Sequence, residues 1–206
     1  MSLLDEIGHQ LGDDTMTTLA GQLGADPQTT RSAVAMALPM LIGGLAQNTA
    51  QPEGAQALGR ALERDHDGSV LENVSAFLGG GQPATQARAT DGAGILGHVF
   101  GQRQSAVADG IGKATGMNSD QTRRLLTMLA PIVLGYLGSR MRQKQLEPQQ
   151  IGAELQQERA QITEQAPGMA GVFGNLLDRN KDGSITDDIA RMAPNILGGL
   201  LGGRKS

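Results

Sequence analysis

The chain predicts an all-α fold, an internally duplicated helical bundle with kinked Pro helices and Asp-rich connecting loops, and three observations carry that expectation. Apolar residues recur at helical spacing, as at Val34, Leu38, Leu41, Ile42 and Leu45. Nothing alternates apolar and polar residues with the period of two that a half-buried strand needs. Two stretches of the chain also repeat each other at fixed offsets, so one helical unit is written twice.

Residues 3–23 read as one or two short amphipathic helices, with Leu3, Leu4, Ile7 and Leu11 on one face. Leu23-Gly24-Ala25 breaks that pattern. Asp26-Pro27 starts the next helix, because Asp accepts from the open first-turn amides and Pro is preset for the first helical position. Pro39 then interrupts it. Pro lacks an amide and collides with the carbonyl of Ala35, which predicts a kink or two abutting helices. A polar loop over 47–54 leads to a helix from Pro52 to about Leu62. Another helix starts at Ser69, with Val70, Val74, Phe77 and Leu78 on one face, and ends at Gly79-Gly80-Gly81. Residues 79–94 are small, polar and aperiodic, as a linker is.

After the linker the pattern returns. Thr115–Thr122 replays residues 23–30 at an offset of 92, with Asn118 and Gln121 as a capping box. Pro131 matches Pro39, and Gly135 matches Gly43. The stretch from Pro167 to Arg179 replays Pro52–Arg64 at an offset of 115. The two offsets differ by a 23-residue insert after Ser139, which reads as a Gln-rich helix from Pro148 with Ile151, Leu155 and Ile162 as a thin apolar stripe. Met192-Ala-Pro194 opens a third, partial echo. The predicted division is residues 1–80 as the first unit, 81–94 as the Gly-rich linker and 95–206 as the second unit. Residues 23–80 and 115–200 are expected to superpose.

The order LPMLIGGLA, DHDGSVLENV, Gly-rich linker, GILGHVFGQRQ, TG turn, LAPIVLGYLG and a second acidic loop resembles one bacterial family, known as domain of unknown function 937. It is more loosely similar to the all-α YidB-like fold. The resemblance covers nearly the whole chain and implies a helical fold and a bacterial source. It implies no activity and brings no functional residues with it.

The chemistry in the sequence therefore rests on its own residues, and the acidic loops hold most of it. Asp178, Asn180 and Asp182 alternate ahead of Gly183 and Ser184, as in the first half of a calcium loop. Asp187 and Asp188 follow, but Ile189 stands where the bidentate Glu belongs. The first copy has Glu63, Asp65, Asp67 and Glu72, with Val74 at the last position. The same residues also form two S-x-x-[ED] capping boxes, Ser69 to Glu72 and Ser184 to Asp187, behind an Asp-Gly turn. Calcium binding, if present, would be weak, and a capping turn accounts for most of the same residues.

Other chemistry finds little support. The three histidines, His9, His66 and His98, form no pair at metal spacing and neighbour no nucleophile. His66 reads as a solvent-facing loop residue and His98 as a partly buried helix residue. Without Cys there are no disulfides or thiolate chemistry, which fits a reducing compartment. The net charge of −4 argues against nucleic acid as main partner. Residues 1–80 hold three Lys/Arg against ten Asp/Glu, which reads first as a solvated acidic face and second as attraction between the halves or to a second copy. The most apolar segments, 33–46 and 125–138, are shorter than a spanning helix, and the N-terminus lacks a basic signal region. The expectation is a soluble, cytoplasmic, non-catalytic helical structural or interaction module, with weak calcium binding as the alternative.

Overall fold

The computed structural model describes residues 2–78 and 91–166, and these are helical with no strand among them. Residues 79–90, the second acidic loop and the third echo lie outside the described residues, so the superposition of two units over their whole length does too. The helices are α1 (Leu3–Gln10), α2 (Asp13–Leu23), α3 (Pro27–Asn48), α4 (Pro52–Arg64), α5 (Val74–Leu78), α6 (Gly92–Phe100), α7 (Gln104–Thr115), α8 (Ser119–Gln143) and α9 (Pro148–Gln165). Short 3-10 turns over Ser69–Asn73 and Gly101–Arg103 run straight into α5 and α7.

The starts of these helices follow from local chemistry. Asp26 Oδ1 accepts from the Gln28 and Thr29 amides at 3.0 and 2.9 Å, and Pro27 is the first residue of α3. Asn118 and Gln121 close a reciprocal capping box at the start of α8, at 2.8 and 3.1 Å. Gly24, with φ of 61°, ends α2 in the left-handed conformation. Asp91 caps α6 by accepting from the Gly94 amide at 2.9 Å. Residues 91–94 thus belong to a helix start and not to a linker, which shortens the predicted segment. Helix α7 was not anticipated from the sequence.

α3 and α8 form the centre. Every residue from Met36 to Ala46 and from Leu129 to Gly138 is buried, so both helices are covered on all sides there. α9 packs on α3 and α4, α6 and α7 pack on α8, and α2 packs on α3 and α5. Residues from Leu3 to Ile162 enter one core, drawn from both predicted units. The stripe expected on α9 is there: Ile151, Leu155 and Ile162 are all buried. α3 alone among the described helices is long and apolar enough to cross a membrane, but 78% of its most apolar window is buried by the protein itself.

Pro39 and Pro131 each lie twelve residues beyond the first residue of their helix, Pro27 and Ser119. Each helix continues through its Pro, so neither is a pair of abutting helices. Pro131 offers no amide to the Thr127 carbonyl. That carbonyl meets α6, where a Cβ at Gly92 would overlap the Thr127 oxygen. The helix start at Gly92 thus sits on the carbonyl that Pro131 leaves open.

Candidate functional site

The first acidic loop follows α4, and its carboxylates take separate directions. Glu63 is exposed near the end of α4, and Glu72 is exposed within the 3-10 turn. Asp65 ends α4, half-buried, with Arg64 at 3.9 Å. Asp67 Oδ1 accepts from the Ser69 amide at 3.0 Å, and its Oδ2 lies 3.8 Å from the Arg142 guanidinium of α8. Hydrogen bonds from Ser69, side chain then backbone, hold the Asp67 carboxyl below its ordinary pKa; burial works against them and Arg142 assists. Among the described residues no three acids or histidines come together as a metal-binding group. Asp178, Asn180, Asp182, Ser184, Asp187 and Asp188 lie outside the described residues.

The turn also differs from the capping box expected at Ser69 and Glu72. Gly68, with φ of 88°, holds the cap position of the 3-10 turn, with no side-chain cap bond. Only a residue without Cβ adopts that left-handed geometry cheaply, and Asp67 has already taken the Ser69 amide. His66 departs further from expectation. It is 6% exposed, and its carbonyl abuts Gly138 of α8 so closely that a Cβ there would overlap it. His98 is exposed on α6, as His9 is on α1, and no two of the three form a cluster.

The densest polar arrangement was not visible in the sequence. Tyr136 and Arg140 are one helical turn apart on α8, facing Glu6 of α1 and Glu154 of α9. The Tyr136 hydroxyl donates to Glu6 Oε2, and Arg140 reaches the same oxygen at 2.9 Å. The guanidinium also meets Glu154 at 2.7 and 3.4 Å. One turn further along α9, Glu158 is 5% exposed and accepts from the Leu3 and Leu4 amides at 2.9 and 3.2 Å. A carboxylate from 155 residues away thus satisfies the open N-terminal amides of α1.

Electrostatics ties this cluster down. Burial, with the Glu6 hydrogen bond adding, pushes the Tyr136 phenol up to about 12. That same bond holds Glu6 below the usual carboxylate range against the effect of burial, with Arg140 assisting. Burial opposes the Arg140 charge, but Glu154, by hydrogen bond and by charge, acts with Tyr136 and Glu6 to raise the guanidinium pKa. A hollow of about 590 Å³ lies beside the cluster, bordered by His9, Ser139, Gln143 and Lys144. At neutral pH the phenol keeps its proton and the guanidinium is engaged on both forks. The arrangement joins α1, α8 and α9.

In comparisons with known proteins, a family model described as a bacterial protein of unknown function (DUF937) matches residues 5–140. The match ends within α8, before α9 begins. No curated protein and no solved structure matches the chain.

Proposed function

The chain belongs to this bacterial family of unknown function, and we propose that it is a non-catalytic helical interaction module. The observation that carries this reading is where the groups of the polar cluster go. Glu6, Tyr136, Arg140, Glu154 and Glu158 all bond to other helices of the same chain. Charges used this way fix helix positions, which suits a protein whose output is a shaped surface.

The module is soluble and cytoplasmic, and it is built as a duplication with a bend at each Pro. The matching placement of Pro39 and Pro131 behind a capped start supports the duplication. Its partner is a second copy or another protein. Size-exclusion chromatography with light scattering over a range of concentrations tests self-association, with masses above 21.4 kDa expected as concentration rises. A constant monomer mass refutes it. A hydrolase or transferase activity lost on Tyr136→Phe would overturn the non-catalytic assignment.

A weak calcium module is the second reading, and the sequence of residues 178–189 supports it. Asp178, Asn180 and Asp182 suit the leading ligand positions, and two acids follow. The first loop is the poorer candidate, because Asp67 is engaged by Ser69 and faces Arg142.

A further inference from the structure

Where the end of α3 meets α4, α6 and α8, the helices leave a cavity of about 360 Å³. Its walls are mainly apolar, with Leu45, Leu58, Ala61, Ile95, Val99 and Leu134 in them. Asn48, His98 and Val99 also line a second hollow, of about 780 Å³, with a different character. There the lining includes Gln47, Gln51, Gln102 and Arg103. Neither hollow has an Asp or Glu in its lining among the described residues, and Arg103 is the one full charge. Arg103 makes no ion pair within the described residues.

We propose that the two hollows form one site for a medium-chain aliphatic carboxylate, with the alkyl tail in the apolar cavity and the carboxylate against Arg103 and His98. Three features select this ligand. The cavity lies within the roughly 300–1,000 Å³ that small-molecule sites span, and its apolar wall gains by displacing water onto an alkyl chain. The adjoining hollow offers a guanidinium and an imidazole but no carboxylate, so an acid finds a partner of opposite charge and an amine does not. The helices around it are also fixed against one another. Asn48 Nδ2 donates to the His98 carbonyl at 2.8 Å, fixing α3 against α6, and Gln156 of α9 bonds to the Ala46 carbonyl. The Thr49 hydroxyl is used on the Leu45 and Ala46 carbonyls, at 3.0 and 3.1 Å, and stays with its own helix.

The site does not depend on self-association, so a monomeric protein would leave it standing. Calorimetric titration of the full chain with decanoate, decanol and decylammonium, each below its micelle concentration, tests it. Decanoate should bind one per chain, and decylammonium at least about tenfold more weakly. Arg103→Gln should weaken decanoate about tenfold, the loss of one hydrogen bond to a charged group, and leave decanol unchanged. Ala61→Phe, at a half-exposed position of the wall, should block both. If that variant fails to fold, Ala57→Phe at an exposed position of the same wall replaces it. No decanoate binding, equal binding of decylammonium, or indifference to the blocking variants would overturn the proposal. Binding to anionic lipid vesicles without binding to decanoate would overturn it as well, in favour of a membrane surface.

Discussion

Replacing Glu158 with Ala should loosen the first helix of the chain from the rest. Glu158 accepts two amide hydrogen bonds, from Leu3 at 2.9 Å and Leu4 at 3.2 Å, and Leu3 is buried. A hydrogen bond to a charged group contributes about 1.5–3 kcal/mol, and a stranded buried amide costs about 1–3 kcal/mol. α1 can recover water for those amides only by undocking, which exposes Leu3, Ile7 and Leu11 at about 1.5–3 kcal/mol each. Staying docked with poorer bonds is the cheaper response, so the expected loss is about 3 kcal/mol. For a chain of this size that lowers Tm by about 6–12 °C. Glu158→Gln keeps an acceptor oxygen and should lose about half as much. Thermal unfolding by circular dichroism reads the global effect, and hydrogen exchange of residues 3–11 reads the local one. If Glu158→Ala melts within about 2 °C of the parent and exchange over 3–11 does not accelerate, the carboxylate does not hold α1 and the argument fails.

Tyr136 is the sole tyrosine, so its ionisation can be followed by tyrosinate absorbance, with a midpoint near 12 expected when folded and near the ordinary 10.0 when unfolded. The folded pKa is the higher one, so this stabilisation is complete below pH 10 and fades as pH rises toward 12. Tyr136→Phe should remove that alkaline loss in urea titrations carried out over the same range. Gly92→Ala should destabilise by at least about 2 kcal/mol, because the new Cβ meets the rigid Thr127 carbonyl and not a movable side chain; an unchanged denaturant midpoint would contradict the close approach of α6 and α8. On the calcium reading, millimolar calcium should raise Tm, magnesium should raise it less, and Asp182→Ala should abolish the shift, with Kd on the order of 10⁻⁴–10⁻³ M. If neither ion nor substitution changes Tm, residues 178–189 are a capping turn alone.

What was legible in the sequence is what a few neighbouring residues decide between them. Asp26 with Pro27, Asn118 with Gln121, and Pro148 each mark a helix start within three or four positions, and each start is found there. The apolar stripe of α9 follows from periodicity alone. The polar cluster escaped because its members are far apart in the chain. Glu6 meets Arg140 across 134 residues, and Glu154 and Glu158 sit on a Gln-rich helix where each reads as solvated. His66 was misplaced for the same reason: nothing near it in the chain announces that Gly138 will abut its carbonyl. In the first acidic loop the carboxylates were readable, but their directions are set partly by Arg142 on another helix.

The bond between Glu158 and the start of α1 has a consequence for how the protein is made. Leu3 and Leu4 are made well before the carboxylate that receives them, which follows 155 residues behind Leu3. At about 5–20 residues per second, the Leu3 and Leu4 amides wait on the order of ten to thirty seconds for that carboxylate. The order of synthesis therefore lets α1 gain its Glu158 bonds only after α9 has been made.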